Sequence, residues 1–351
     1  MTDLAIPRRA LLAGAAILAA PRLGRAADPT GDITVVGYFG IFEDHYTRTV
    51  INPFMQRNPG IKVTFRPVRG SADVTALLRT GRNRPTFDIA IMDLAIAAAN
   101  NRDGLFAALD PAVVTNLADL PDWGRPEGNL GAALTQDVLV MLYAPKRVTK
   151  VPASWADLAD PAYRGRAGMP IGDVRGTVLL ALLNRMANTD YRTSVDPGLA
   201  MLKRIAANVQ TYEPQPDIYT AIRSGLIDIG IGWNARGQAN QDDSNGEFAC
   251  IVPIEGTAPQ VNTINLVNRA PNPDAAQAFI NHALSAEAQK AFAASLFYGP
   301  TNSKAELAPP LAARIFGSPE VRAKQMDLDW PWFTRNNNAL IQRIRREVIA
   351  G

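Results

Sequence analysis

Residues 154–183, SWADLADPAYRGRAGMPIGDVRGTVLLALL, constrain this 351-residue chain more than any other stretch. Ser154 and Asp157 form a Ser-x-x-Asp capping box that opens a short helix, and Pro161 ends it. Gly165-Arg166-Ala167-Gly168 is a turn into the apolar run 169–171, read as a strand. The polar loop Gly172-Asp173-Val174-Arg175-Gly176-Thr177 follows, then the unbroken apolar run 178–183, read as a buried helix. Polar residues thus sit between the end of a strand and the start of a helix, the place where open α/β sheets bind ligands. The helix start adds unpaired N–H groups and a positive dipole end.

The amino terminus predicts export. Arg8-Arg9 precede the apolar run 10–20, and Gly24-Arg25-Ala26 is a small-x-small exit. A basic start, a short apolar core and a small-residue exit define a signal too short to span a bilayer, cleaved near Ala26. The arginine pair, with Arg22 and Arg25 near the exit, suggests the Tat route. The chain carries +3 overall, and four arginines against Asp3 within 1–26 account for all of it. The mature chain is formally neutral, so nothing points to nucleic acid or a membrane surface. One cysteine, Cys250, excludes an internal disulfide and a thiolate metal cluster; it reads as a small packing residue. His45 and His282 fall on expected helices with no second ligand at metal spacing. There is no Gly-x-Ser-x-Gly elbow and no P-loop, so no catalytic residue, metal or cofactor is expected and an enzyme is disfavoured.

After the signal, 325 residues at 47% hydrophobic content for the whole chain make one large or two medium domains. Strands are expected at 33–38, 61–67, 87–92, 138–143, 227–232 and 261–267. Helices are expected at 43–56, 74–79, 199–207, 218–224 (capped by Asp217), 273–283 (capped by Asn272), from Ser285 onward, and at 336–349.

Four ordered phrases carry a family resemblance. They are Trp155 to Gly165, Ser224-Gly225 with Ile227-Asp228 leading to Trp233-Asn234, Val252-Pro253-Ile254-Glu255-Gly256 with the return crossing 261–267, and Ser285 to Gln289 with Tyr298-Gly299-Pro300-Thr301-Asn302; the opening Pro53-Phe54 with Gly60-Ile61-Lys62-Val63 matches the same family's start. The chain resembles the solute-binding proteins of ABC importers, above all the spermidine/putrescine-binding branch. The resemblance implies a two-lobe α/β type II periplasmic binding protein fold, each lobe a mixed sheet flanked by helices, joined by a hinge that closes on ligand. It divides the chain into lobe 1 at 27–141, lobe 2 at 142–256, a return to lobe 1 at 257–303, and a C-terminal segment, 304–351, packed on lobe 2.

The polyamine branch boxes its ligand between aromatic faces and carboxylates. Carried over residue by residue, that box is Trp233, Asn234, Asp173 and Tyr298, with Asp93 gained at the end of the 87–92 strand. Its second loop carboxylate is Gly176 here, and the one on the return crossing is Asn262. Tyr38 and Phe39 are aromatic candidates near the first strand. Arg175 either pairs with Asp173 or, with Thr177 at the helix start, reaches an acid group. With carboxylates lost and an arginine present, a small amine or a zwitterion suits these residues better than a long polycation. Ferric ion, thiamine and aminophosphonate are the alternatives within the fold; for iron the chain lacks a Tyr-Tyr pair. The implied partners are an ABC permease, or a membrane receptor if the protein senses its ligand, and the chain is expected to be a periplasmic monomer.

Overall fold

The computed structural model describes residues 29–316, 320 and 323–351; the expected export signal lies outside them. The chain begins with β1 (Gly31–Tyr38), paired in parallel with β2 (Ile61–Val68) along their whole length. Between them run α1 (Ile41–Tyr46), a π-helical turn (Thr47–Ile51) and α2 (Asn52–Arg57), where one continuous helix is expected. Phe42, Tyr46, Val50, Ile51 and Phe54 form the buried stripe of this crossover. After α3 (Ser71–Thr80), β3 (Ile89–Asp93) joins parallel to β1, and α4 (Leu94–Arg102) and β4 (Phe106–Ala107) follow.

Then β5 (Ala132–Tyr143) leaves one sheet for another. Its first half pairs with β10 (Pro259–Val267) and its second half, from Leu139, with β8 (Ile229–Trp233). The change of partner falls at 138–139, ahead of the expected boundary at 141. The strand order is β2-β1-β3-β10-β5-β8-β6-β7, with β6 (Ala167–Gly168) and β7 (Val209–Thr211) at the far edge. The return crossing runs alongside β5: Leu139 N donates to Ala258 O at 3.2 Å, and Thr257 Oγ1 donates to Leu139 O.

The second lobe holds α5 (Val174–Met186), α6 (Asp196–Ala206), α7 (Ile218–Arg223), α8 (Asn234–Asp242) and β9 (Ala249–Ile251). The chain then rebuilds lobe 1 with α9 (Pro273–Ala283), α10 (Ala286–Leu296) and β11 (Gly299–Pro300), and continues through α11 (Pro309–Phe316) and α12 (Trp330–Ile344) into a π-helical turn (Arg345–Ile349). Each lobe has its own core. Lobe 1 is built on Phe42, Tyr46, Phe54, Phe279 and Phe292; lobe 2 on Trp155 and the apolar run of α5. That run is unbroken because Val178 to Leu183 are buried on every side of the helix.

Two expectations shift. The strand expected at 169–171 ends at Gly168: Met169 N still donates to Thr211 O at 3.0 Å, but Pro170 has no N–H to continue the ladder. The C-terminal segment touches both lobes, not lobe 2 alone. Trp330 packs against Leu94, Ala133 and Val261, Arg102 Nη2 donates to Thr334 O, and Asn337 meets Thr177. Both histidines are packing residues on helices: His45 Nδ1 lies 2.6 Å from Ser295 Oγ and His282 Nε2 3.0 Å from Val50 O. Burial pushes the Cys250 thiol up to about 12, away from reactivity.

Candidate functional site

A cleft of about 810 Å³ opens between the lobes. Lobe 1 contributes Phe39, after β1, and Arg69, before α3. Lobe 2 contributes the 172–175 loop, the 210–219 segment, Trp233 and Arg236; the π-helical turn after α12 closes one side with Arg345 and Ile349. Each side chain is placed by an element end. Asp173 caps α5, its Oδ1 accepting from Arg175 N at 2.9 Å. Asp217 caps α7 through Thr220 N at 2.8 Å. Trp233 stands at the carboxyl end of β8, and Tyr219 fixes its backbone: the hydroxyl donates to Trp233 O at 3.1 Å and accepts from Trp233 N at 2.9 Å.

Of the residues expected here, the cleft wall includes Phe39, Asp173, Arg175 and Trp233. Arg175 is held by Asp173, Nη2 to Oδ2 at 2.5 Å and Nε to Oδ1 at 3.0 Å. Burial works against the Arg175 charge, but the Asp173 carboxylate outweighs it and leaves the guanidinium more firmly protonated.

A second group lies at the lobe 1 side without lining the cleft. Tyr38 OH donates to Asn262 Oδ1 at 2.9 Å, and Gln260 Nε2 bridges Asn262 Oδ1 at 2.6 Å and Asp93 Oδ1 at 2.5 Å. Ser71 Oγ donates to Asp93 Oδ2 at 2.7 Å. Asn262 Nδ2 passes the chain on to Thr135 Oγ1. Burial pushes the Asp93 carboxyl above its usual range, and the bonds from Ser71 and Gln260 temper the rise.

Two expected residues turn away from the cleft. Thr177 is 1% exposed and its hydroxyl donates to Asn337 Oδ1 at 2.8 Å, behind α5. Asn234 Nδ2 donates to Arg314 O at 2.9 Å and holds α8 against α11. Tyr298 packs flat on Phe292 and edge-on to Phe42, and its hydroxyl meets the Arg236 guanidinium.

Arg236 is the group that sequence reasoning missed. It sits in the first turn of α8, and among the described residues it has no carboxylate within ion-pair distance. The carboxyls whose charge reaches it are Asp217 on the cleft wall and Asp137 on β5, and Asp137 is spent on the α8 amino terminus: Oδ1 accepts from Ala235 N at 3.1 Å. The only signal in the sequence is its place three residues after Trp233. The cleft therefore offers one neutralised arginine, Arg175, three arginines with no ion pair among the described residues, Arg69, Arg236 and Arg345, aromatic faces, and the carboxylates of Glu213 and Asp217.

Two α/β lobes joined by paired crossing strands, with a charged cleft between them, define a protein that encloses a small solute. The chain belongs to the bacterial extracellular solute-binding protein family, whose model matches residues 49–315. The family serves ABC transporters and binds its solutes without transforming them. The chain is 24% identical to a gamma-aminobutyric acid-binding protein of Pseudomonas aeruginosa over 279 residues, 77% of each chain. It is 22% identical to spermidine/putrescine-binding periplasmic protein 1 of Haemophilus influenzae over 266 residues, 72% of each. Among solved structures it is similar to a binding protein of A. tumefaciens R10 in complex with agropinic acid, with a TM-score of 0.77 and 23% identity, covering 91% of this chain and 99% of that one. Among the described residues no helix is long and apolar enough to cross a membrane.

Proposed function

We propose that this is a periplasmic solute-binding protein that traps a small solute bearing both an ammonium and an acid group, and delivers it to the permease of an ABC importer. Closure about β5 and the Thr257–Ala258 crossing brings Phe39 and Arg69 over the lobe 2 wall. The observation that carries the reading is Arg236, a half-buried guanidinium facing the cleft, bonded to a phenol and, among the described residues, with no carboxylate within ion-pair distance. A partly desolvated cation of this kind is stabilised by a ligand acid group, bidentate where geometry allows. Arg175, already paired with Asp173, is the weaker candidate for that role.

The ammonium end is served by the faces of Trp233 and Phe39 and by the carboxylates of Glu213 and Asp217. A polyamine would bring only positive charge to a wall carrying Arg69, Arg175, Arg236 and Arg345. The gamma-aminobutyric acid-binding relative supports the zwitterion reading, and the spermidine/putrescine-binding one marks the alternative. The ferric reading finds no group of His, Cys, Asp and Glu side chains fit for a metal among the described residues.

A thermal-shift panel on the chain from Ala27 tests this. γ-Aminobutyrate, other ω-amino acids and aminoethylphosphonate are set against putrescine, spermidine, thiamine and ferric citrate. A ligand at a hundred times its dissociation constant stabilises by about 2.7 kcal/mol. Stabilisation confined to compounds with an acid group is expected; stabilisation by spermidine above every zwitterion would overturn the reading.

A further inference from the structure

The family match ends at residue 315, yet one side of the cleft is built from residues beyond it. The π-helical turn Arg345–Ile349 is tied to the site loop: Arg345 Nη2 donates to Gly172 O at 2.9 Å, next to the residues that present Asp173 and Arg175. The Arg345 side chain passes close over Gly172, where a Cβ would stand 3.6 Å from Arg345 Nε and 3.7 Å from Nη2. The same turn is tied to the 210–219 segment, where Tyr212 OH donates to Val348 O at 3.4 Å. Among the described residues Arg345 has no carboxylate within ion-pair distance, so its contact with the Gly172 carbonyl is its anchoring bond.

We propose that this turn is a working wall of the ligand cleft, and that Arg345 is a positioning residue that fixes the 172–175 loop and with it the Asp173–Arg175 pair. The loop needs such a tie. Its preceding strand is two residues long, and Pro170 stops the ladder; the N–H groups of Arg175 and Gly176 then bond only locally, both to Asp173. Between Pro170 and the body of α5, the Arg345 guanidinium is the contact that reaches across from another element to the Gly172 carbonyl. Its remaining N–H donors lie at the cleft wall and are available to an acidic group of the solute. The inference rests on the cleft being the solute site, but its test does not depend on which solute binds.

Hydrogen–deuterium exchange on the ligand-free chain, compared among wild type, Arg345→Ala and Arg345→Lys, tests it. In Arg345→Ala the peptide covering 171–177 should exchange about fivefold faster, the factor set by one hydrogen bond's net contribution. Peptides from β1 and α9 should be unchanged. Arg345→Lys, which keeps a donor, should recover most of the protection. Unchanged exchange at 171–177 in a folded Arg345→Ala protein would overturn the proposal. So would equal acceleration in the alanine and lysine variants, or acceleration spread over both lobes. Failure of the zwitterion reading would appear in the ligand panel and leave this result untouched.

Discussion

Gly176 has no room for a side chain: a Cβ there would come within 2.0 Å of Ile171 O. The position that the resemblance aligns with a second loop carboxylate is thus sterically closed to any side chain unless the backbone shifts. Gly176→Ala should cost about 1–3 kcal/mol, read as a lower urea midpoint, because the loop or the start of α5 must shift. Arg236 makes the complementary case. Removing it with Arg236→Ala should weaken an acid-bearing amine by about 3 kcal/mol, more than a hundredfold in Kd, with little change in the stability of the ligand-free protein. Titration calorimetry checks the first part and urea unfolding the second. Asp173 and Arg175 were legible in the sequence because residues two apart across a capping position can pair locally. Arg236 was not: the α8 sequence NARGQANQD has no apolar stripe from which to read a direction, and the turn out of β8 alone aims it.

At the scale of elements, capping signals translated well. Ser154 and Asp217 accept backbone N–H bonds at the helix starts they were expected to mark, whereas Asn272, expected to cap α9, makes no side-chain cap bond. Strand ends translated less well, because the stop at Gly168 depends on Pro170 meeting a neighbour that sequence periodicity does not reveal. Trp155 shows what the 154–159 turn secures: it is fully buried, and its Nε1 donates to Gly256 O at 2.9 Å on the return crossing. Trp155→Ala should cost about 3–5 kcal/mol, measured by urea unfolding. The cap of α8 carries a pH signature. Burial pushes the Asp137 carboxyl up to about 7, against the bonds from Val138 N and Ala235 N and the charge of Arg236. Its folded value thus lies above the unfolded value near 3.9. The contribution to stability is complete below about pH 4 and is lost as pH rises through about 7. Between pH 5 and pH 8 the wild type should therefore lose stability relative to Asp137→Asn, a trend that denaturation at four pH values in that window would reveal.

At the scale of the molecule, the two-lobe plan was legible because four phrases recur in order across nearly the whole chain, and because the crossing strands are long and apolar. The placement of the C-terminal segment was not, since an amphipathic helix shows which face is buried but not which lobe buries it. The site was half legible: element ends could be placed on the cleft side, whereas contacts between segments far apart in sequence, such as Arg345 with Gly172, leave no local trace. In the proposed closure, β5 and the Thr257–Ala258 crossing are the hinge, since each lobe keeps a core of its own on either side of them. The direct test of the zwitterion assignment is titration calorimetry with γ-aminobutyrate and putrescine, which share a four-carbon chain and differ in one end group. Measurable binding of γ-aminobutyrate with none of putrescine is the expected result; putrescine binding as tightly or more tightly would contradict it.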